Sequence, residues 1–413
     1  MSADHPGFGE TRNGQFDVGG HPMVGDRPRN SSALPPVTAA WREGDPLGSR
    51  RIVDLADPLI LELGGALPRL QVAYESWGRL NARRDNAVLV LHALTGDSHA
   101  SGPAGPTHPT PGWWDGLIGP GRALDTDRYF VVCPNVLGGC QGTTGPASRA
   151  PDGRPWGSRF PIITVRDQVA TEAALADELG IDRWASVIGG SMGGMRALEW
   201  AVTYPDRVAS VAVFAVGAYA SAEQIAFCSG QIHAIKADPK WRGGDYYDAP
   251  DGDGPHVGLG VARRLAHVTY RSEPELAVRF GRDAQAHEDP LRCGRFAVQS
   301  YLDHHADKLV RRFDANTYIV LSAAMNSHDV GRGRGGVTAA LRRYHGPAIV
   351  GGVDSDRLYP IYQQQQIADG LPGTVAGLRV ISSPYGHDAF LIATDQISPM
   401  VREFLEAHAS SAV

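Results

Sequence analysis

Trp184-Ala-Ser-Val-Ile-Gly-Gly-Ser-Met-Gly-Gly-Met-Arg-Ala-Leu-Glu-Trp200 is the stretch that decides how the chain folds. Trp184 to Ile188 is an apolar run of strand character. A glycine cluster follows, then Ser191. Next comes a helical pattern in which Met195, Leu198 and Trp200 recur among Ala197, Glu199 and Ala201. The core reads Gly189-x-Ser191-x-Gly193, a pattern in which a sharp strand-to-helix turn lifts a serine hydroxyl clear of a sheet. Glycines suit such a turn because a Cβ would obstruct its backbone conformation and its close approaches. The helix that follows aims its N-terminal N–H groups and the positive end of its dipole at the place where an oxyanion would form. Five residues are a weak pattern in a chain with 50 glycines. The strand before and the helix after are what give it meaning.

Working outward, Asn86-Ala-Val-Leu-Val-Leu-His92 is a continuous apolar run, as in a strand buried on both faces. It opens into the loop 93–99. Arg128 to Cys133 is a second such strand, and the loop 134–146 after it is too glycine-rich to be regular. Arg51-Ile-Val-Asp54 and Leu70-Gln-Val-Ala-Tyr74 read as edge strands. The stripe Val169, Ala173, Leu175, Ala176 and Leu179 predicts an amphipathic helix over 165–180. Val208 to Phe214 is a further strand. Alternation of this kind predicts a mostly parallel sheet with helices on both faces. From 221 to 336 the pattern becomes helical, over 222–236, 258–269, 273–283, 296–313 and 316–325, as in a helical lid subdomain inserted over the sheet's carboxyl edge. The sheet resumes with a strand over 347–352, a helix over 360–369, a strand over 378–382 and a closing helix over 399–408. The expected organisation is a disordered or loosely attached tail over 1–40, an α/β core over 41–220 and 337–413, and the insert over 221–336.

The elbow and this alternation point to an α/β-hydrolase fold, whose catalytic partners follow in the order Ser, acid, His on loops after later strands. Both partners are present. The strand 347–352 is followed by Asp354 and Asp356, of which Asp356 is preferred because Leu358 and Pro360 can pack behind it. The strand 378–382 is followed by His387, the expected base that takes the Ser191 proton and returns it to the leaving group. His328 precedes the acid strand, which is the wrong order. The stretch 331–336 beside it reads as a basic, flexible hinge leaving the lid, able to meet phosphate groups. Two backbone donors are needed for the oxyanion. They are expected to be the N–H of Met192, after the nucleophile, and that of Leu94, in the loop after the earlier strand.

Composition narrows the rest. The 413 residues are 42% hydrophobic and 20% charged, with a formal net charge of -6. No Lys/Arg cluster suggests nucleic acid, and no apolar run suggests a membrane span. The first thirty residues lack the cationic start and apolar core of a secretory signal. Cys133, Cys140, Cys228 and Cys293 show no paired spacing and read as reduced cytoplasmic thiols. The 15 histidines form no H-E-x-x-H, so no metal is expected.

Six ordered motifs carry a family resemblance: His92-Ala-Leu-Thr-Gly-Asp97, Asn135-Val-Leu-Gly-Gly-Cys-Gln-Gly-Thr-Thr-Gly-Pro146, Gly189-Gly-Ser-Met-Gly-Gly194, Asn326-Ser-His-Asp329, Ser355-Asp-Arg-Leu-Tyr-Pro360 and Tyr385-Gly-His-Asp388. Together, from about residue 45 to the C-terminal helix, the chain resembles the homoserine O-acetyltransferases of methionine biosynthesis. The resemblance implies a ping-pong reaction in which Ser191 takes the acetyl group from acetyl-CoA and the homoserine hydroxyl then attacks the acyl-enzyme. It gives Ser191, Asp356 and His387 the triad roles. It puts Arg263 on the homoserine carboxylate, with Arg264 as the alternative, and Asp388 on the amino group. Tyr270 is a weaker contact. It further implies acetyl-CoA as a substrate with no bound cofactor, and a homodimer formed through the helical insert. Arginine suits bidentate carboxylate binding, and a buried aspartate suits an ammonium. A serine esterase with the same triad, a succinyl-CoA donor or a serine acceptor are the alternatives. A non-catalytic binding module is disfavoured by the intact set.

Overall fold

The computed structural model describes residues 34–409. An eight-stranded sheet forms its centre: β1 (Arg51–Leu55), β2 (Leu70–Trp77), β3 (Ala87–Leu91), β4 (Phe130–Pro134), β5 (Ser186–Gly190), β6 (Val211–Phe214), β7 (Ala348–Val353) and β8 (Thr374–Ile381). Side by side they run β1-β2-β4-β3-β5-β6-β7-β8. β2 is antiparallel to both neighbours, and the strands from β3 onward are parallel. β2 therefore lies inside the sheet. Only the first of the two expected edge strands is at an edge, because pairing between distant segments leaves no trace in local alternation.

β3 and β5 are buried at every position. Leu89 and Leu91 point into one core cluster, Val88 and Val90 into a second on the opposite face. Each such side chain, fully buried, contributes about 1.5–3 kcal/mol. The helices α1 (Val165–Glu178) and α2 (Met192–Thr203) cover the first face. Thr164 and Asp167 close a capping box at the start of α1.

Between β6 and β7 lie α3 (Ala222–Lys236), α4 (His256–Tyr270), α5 (Glu273–Phe280), α6 (Ala297–Val310), α7 (Ala315–Asn326) and the short α8 (Val337–Leu341). α4 packs against α3 and α6, and α3 against α7. α5 stops earlier than the sequence suggests because Gly281 takes φ +49°. After β7 come α9 (Ile361–Gly370), β8, α10 (Ala389–Ile392) and α11 (Thr394–His408). α11 begins before Pro399, where the sequence places its start. It tolerates the proline inside because Ile397, Val401, Phe404 and Leu405 bury its apolar face.

Two other expectations change. Residues 1–33 of the expected tail lie outside the described residues, but 36–40 are packed. The Pro36 carbonyl meets His256 Nε2 at 2.8 Å, the Val37 N–H donates to Asp251, and Thr38 Oγ1 donates to Asp314 at 2.7 Å. Partners far along the chain supply what local periodicity cannot. The glycine-rich 331–336 stretch is also tied down, since Arg332 pairs with Glu62 and Arg334 with Glu199. Arg166 donates to the Arg332 carbonyl at 2.6 Å. No helix among the described residues is long and apolar enough to cross a membrane.

Candidate active site

β5 runs straight into the elbow. Ser191 takes φ 55° and ψ -127°, a conformation that costs a residue with a Cβ of order 1–3 kcal/mol. The neighbouring glycines make it attainable. A Cβ on Gly189 would fall 2.3 Å from the Gly193 carbonyl oxygen, and one on Gly193 only 2.0 Å from that of Leu91. The first turn of α2 is thus pressed against the end of β3. This brings Met192 beside the loop that carries Leu94.

α2 is buried almost throughout. Its one cation, Arg196, is fully enclosed and paired to Glu172 at 2.6 Å, and Glu172 also accepts from Trp200 Nε1 at 2.7 Å. Burial raises the Glu172 carboxyl, and Arg196 and Trp200 pull it back. Arg196 also donates to the His92 carbonyl at 2.5 Å, fixing the entry of the 93–97 loop.

The loops after β7 and β8 bring the other two residues to Ser191. His387 Nε2 lies 2.8 Å from Ser191 Oγ, and His387 Nδ1 lies 2.7 Å from Asp356 Oδ2. A carboxylate can only accept, so Nδ1 carries the ring proton and Nε2 is left to accept from the serine. The second Asp356 oxygen accepts from the N–H groups of Leu358 and Tyr359 at 2.8 and 2.9 Å, which locks the carboxylate's direction. Tyr359 stacks on the imidazole, with Phe390 and Tyr270 at its other sides. Ser191 and Asp356 are each 5% exposed and His387 3%, so water is largely kept from this line of bonds. Asp354 is turned elsewhere, bracing Ser382 Oγ and the Ser383 N–H. His328 is buried near the Gly217 carbonyl, apart from this line, and burial takes it down to about 4.

Arg263 on α4 reaches the 93–96 turn, its Nη1 3.3 Å from Thr95 Oγ1, and its guanidinium lies 5.8 Å from the Tyr270 ring. Arg264 points away and pairs with Asp303 at 2.8 Å. Asp388 adjoins His387 and lies 3.4 Å from Arg271, which is itself bonded to Glu275. Burial raises the Asp388 carboxyl above its usual range, against the pull of Arg271, His387 and Arg263. Arg271, and Arg312, whose Nη2 donates to the Thr95 carbonyl at 2.6 Å, carry no signal in the sequence, because nothing local marks which arginine folds inward. A cavity of about 580 Å³ opens on the 93–97 loop, and Ser191 is not among the residues that line it. Ala93, Thr95 and Gly96 form one wall and Arg263, Lys308 and Arg312 another.

One buried trio has the composition of a metal site. Donor atoms of Glu75, His99 and His108 lie within 4.8 Å of one another. The two imidazoles, however, are stacked at 3.9 Å with planes 10° apart. Their lone pairs lie in those planes, so one ion cannot sit in line with both. Glu75 instead binds His99 Nδ1 at 2.9 Å and Ser98 Oγ at 3.2 Å. Burial opposes charge on His99, but the Glu75 bond and charge raise its pKa. The donors do not fit a metal.

The α/β hydrolase fold family model matches residues 86–394. A homoserine O-acetyltransferase of Thermobifida fusca is 64% identical over 90% of this chain and 97% of its own. That of Mycobacterium tuberculosis is 56% identical over 87% and 93%. Among solved structures, homoserine O-acetyltransferase from Bacillus anthracis matches with a TM-score of 0.78 at 28% identity, covering 88% of this chain and 99% of that one. Esterase E22 matches with a TM-score of 0.77, also at 28% identity, over 86% and 99%. The fold alone therefore does not separate transferase from esterase, whereas sequence identity across nearly the whole length does: the chain belongs to the homoserine O-acetyltransferase family of the α/β-hydrolase fold.

Proposed function

We propose that this chain is an acyltransferase that moves the acetyl group of acetyl-CoA to the hydroxyl of L-homoserine, giving O-acetyl-L-homoserine for methionine biosynthesis. Ser191 Oγ attacks the thioester carbonyl while His387 Nε2 takes its proton. The N–H groups of Leu94 and Met192 hold the oxyanion, and Asp356 stabilises the imidazolium. Collapse breaks the C–S bond, and the CoA thiolate leaves with the proton from His387. The homoserine hydroxyl then gives its proton to His387 and attacks the acetyl-serine. A second collapse returns the proton to Ser191. The observation that carries this reading is the unbroken bond line from Asp356 through His387 to Ser191, in a chain whose relatives bear that activity in their names.

Arg263 holds the homoserine carboxylate and Asp388 the ammonium. Arg263 lies against Tyr270, whose ring is 5.8 Å from that of His387, and Asp388 follows His387 in the chain; this supports the clamp, for which an esterase has no use. Acetyl-CoA enters as a substrate. The chain pairs with a second copy through the insert, a reading supported by the stripe of exposed Val257, Val261, Leu265 and Val268 along α4. Four free cysteines suit the reducing cytoplasm as its place of work.

Five tests follow from these assignments. Release of CoA should need homoserine, with parallel double-reciprocal lines; equal release without it would favour the esterase reading. Asp356→Asn should lower kcat by about 10⁴ at unchanged melting temperature, because it frees the wrong tautomer, while Asp354→Asn keeps near wild-type activity. Arg263→Met and Asp388→Asn should each raise the homoserine KM about 10- to 100-fold, the worth of one charge-assisted bond, and leave that for acetyl-CoA unchanged. The raised Asp388 carboxyl takes up its proton at a higher pH than a free aspartate, and with it loses its hold on the ammonium. The homoserine KM should therefore climb as pH falls, and Asp388→Asn should flatten that climb. Sedimentation should give a dimer for the wild type and a monomer for Leu265→Glu; a wild-type monomer contradicts the pairing.

A further inference from the structure

The turn that carries Leu94 is closed by the Gly96 N–H on the Ala93 carbonyl at 2.9 Å, with Leu94 and Thr95 at its centre. Its two ends are held by different parts of the fold. On the core side, Arg196 grips the His92 carbonyl. On the insert side, Arg312 reaches over from just past α6. Its Nη2 donates to the Thr95 carbonyl at 2.6 Å, and its Nη1 lies 3.9 Å from Asp97 Oδ2. The Arg312 main chain is itself anchored, its carbonyl accepting from Gln141 Nε2 at 3.1 Å. The bond from a guanidinium to a carbonyl is charge-assisted and about twice as strong as a neutral one. Among the described residues, it is the hydrogen bond by which the insert holds this turn's main chain.

We propose that Arg312 is a positioning residue: by fixing the Thr95 carbonyl it fixes the tilt of the turn, and so the aim of the Leu94 N–H at the oxyanion. The inference rests on Leu94 serving as an oxyanion donor. The peptide planes of a turn are linked through the dihedrals of its two central residues. Releasing the Thr95 carbonyl loosens those dihedrals and lets the Leu94 N–H, two peptide planes back, swing. A displacement of about 1 Å at such a donor is enough to cost about 100-fold in rate. Through this bond the insert sets the geometry of the chemical step as well as covering it.

Arg312 also faces the cavity, so a contact with a CoA phosphate is the rival role, and two acyl donors separate the two. Arg312→Met is compared with the wild type using acetyl-CoA and using p-nitrophenyl acetate, a neutral ester without phosphate. Attack by Ser191 on the ester expels p-nitrophenolate, which reports acylation directly. Positioning lowers the acylation rate roughly 10- to 100-fold with both donors and leaves the homoserine KM unchanged. Arg312→Lys, which keeps one donor, recovers part of the loss. A defect confined to acetyl-CoA and seen in its KM would overturn the proposal, as would unchanged rates with both donors. If Arg312→Met does not fold, as judged by its melting curve, Arg312→Lys and Arg312→Gln carry the same comparison with the same two outcomes. Ser191→Ala is the control: if it is inactive while Arg312→Met is unimpaired, the function stands and this inference fails.

Discussion

Everything at this site depends on a serine held where a residue with a Cβ does not rest. Ser191 keeps φ 55° because the chain on either side comes closer than side chains would allow, Gly189 against Gly193 and Gly193 against the end of β3. That compression also presses the first turn of α2 against the loop after β3. The turn that exposes the hydroxyl therefore also brings Met192 toward the loop of Leu94, the two residues whose N–H groups we propose hold the oxyanion. The strain is borne by the surrounding core, in which β3 and β5 are buried along their whole length.

The polar groups that align the candidate triad and its neighbouring loop are tied to partners in this dry interior. Asp356 spends one oxygen on backbone N–H groups and the other on His387, so the imidazole has one favoured tautomer and one orientation. Glu172 and Arg196 form a buried pair whose value lies in direction. Removing either would strand the other at a cost of about 3–5 kcal/mol, while together they fix the His92 carbonyl. The insert adds a second set of ties through Arg263 and Arg312, both of which bond Thr95 in the turn that carries Leu94.

Much of this was legible before any coordinates. The buried strands announce themselves as unbroken apolar runs, and the elbow as glycines flanking a serine between a strand and a helix. Asp356 could be preferred over Asp354 because of the residues available to pack behind it. In the structure, Asp356 faces His387 and Asp354 braces Ser382 and Ser383. What escaped is long-range. β2 lies inside the sheet because of pairing with β1 and β4, which local alternation cannot register. Residues 36–40 are packed because Asp251, Asp314 and His256 meet them. Arg271 and Arg312 look like any other arginine in a charged helical segment until the fold turns them inward.

The most direct test is intact-protein mass spectrometry after brief exposure to acetyl-CoA, with Ser191→Ala measured alongside. The wild type should gain one acetyl group, localised to Ser191 and absent from the variant, and homoserine should discharge it while serine does not. An adduct from succinyl-CoA alone would keep the covalent route and change the donor. No adduct from either donor, in a protein that still turns over homoserine, would contradict the acyl-enzyme at Ser191.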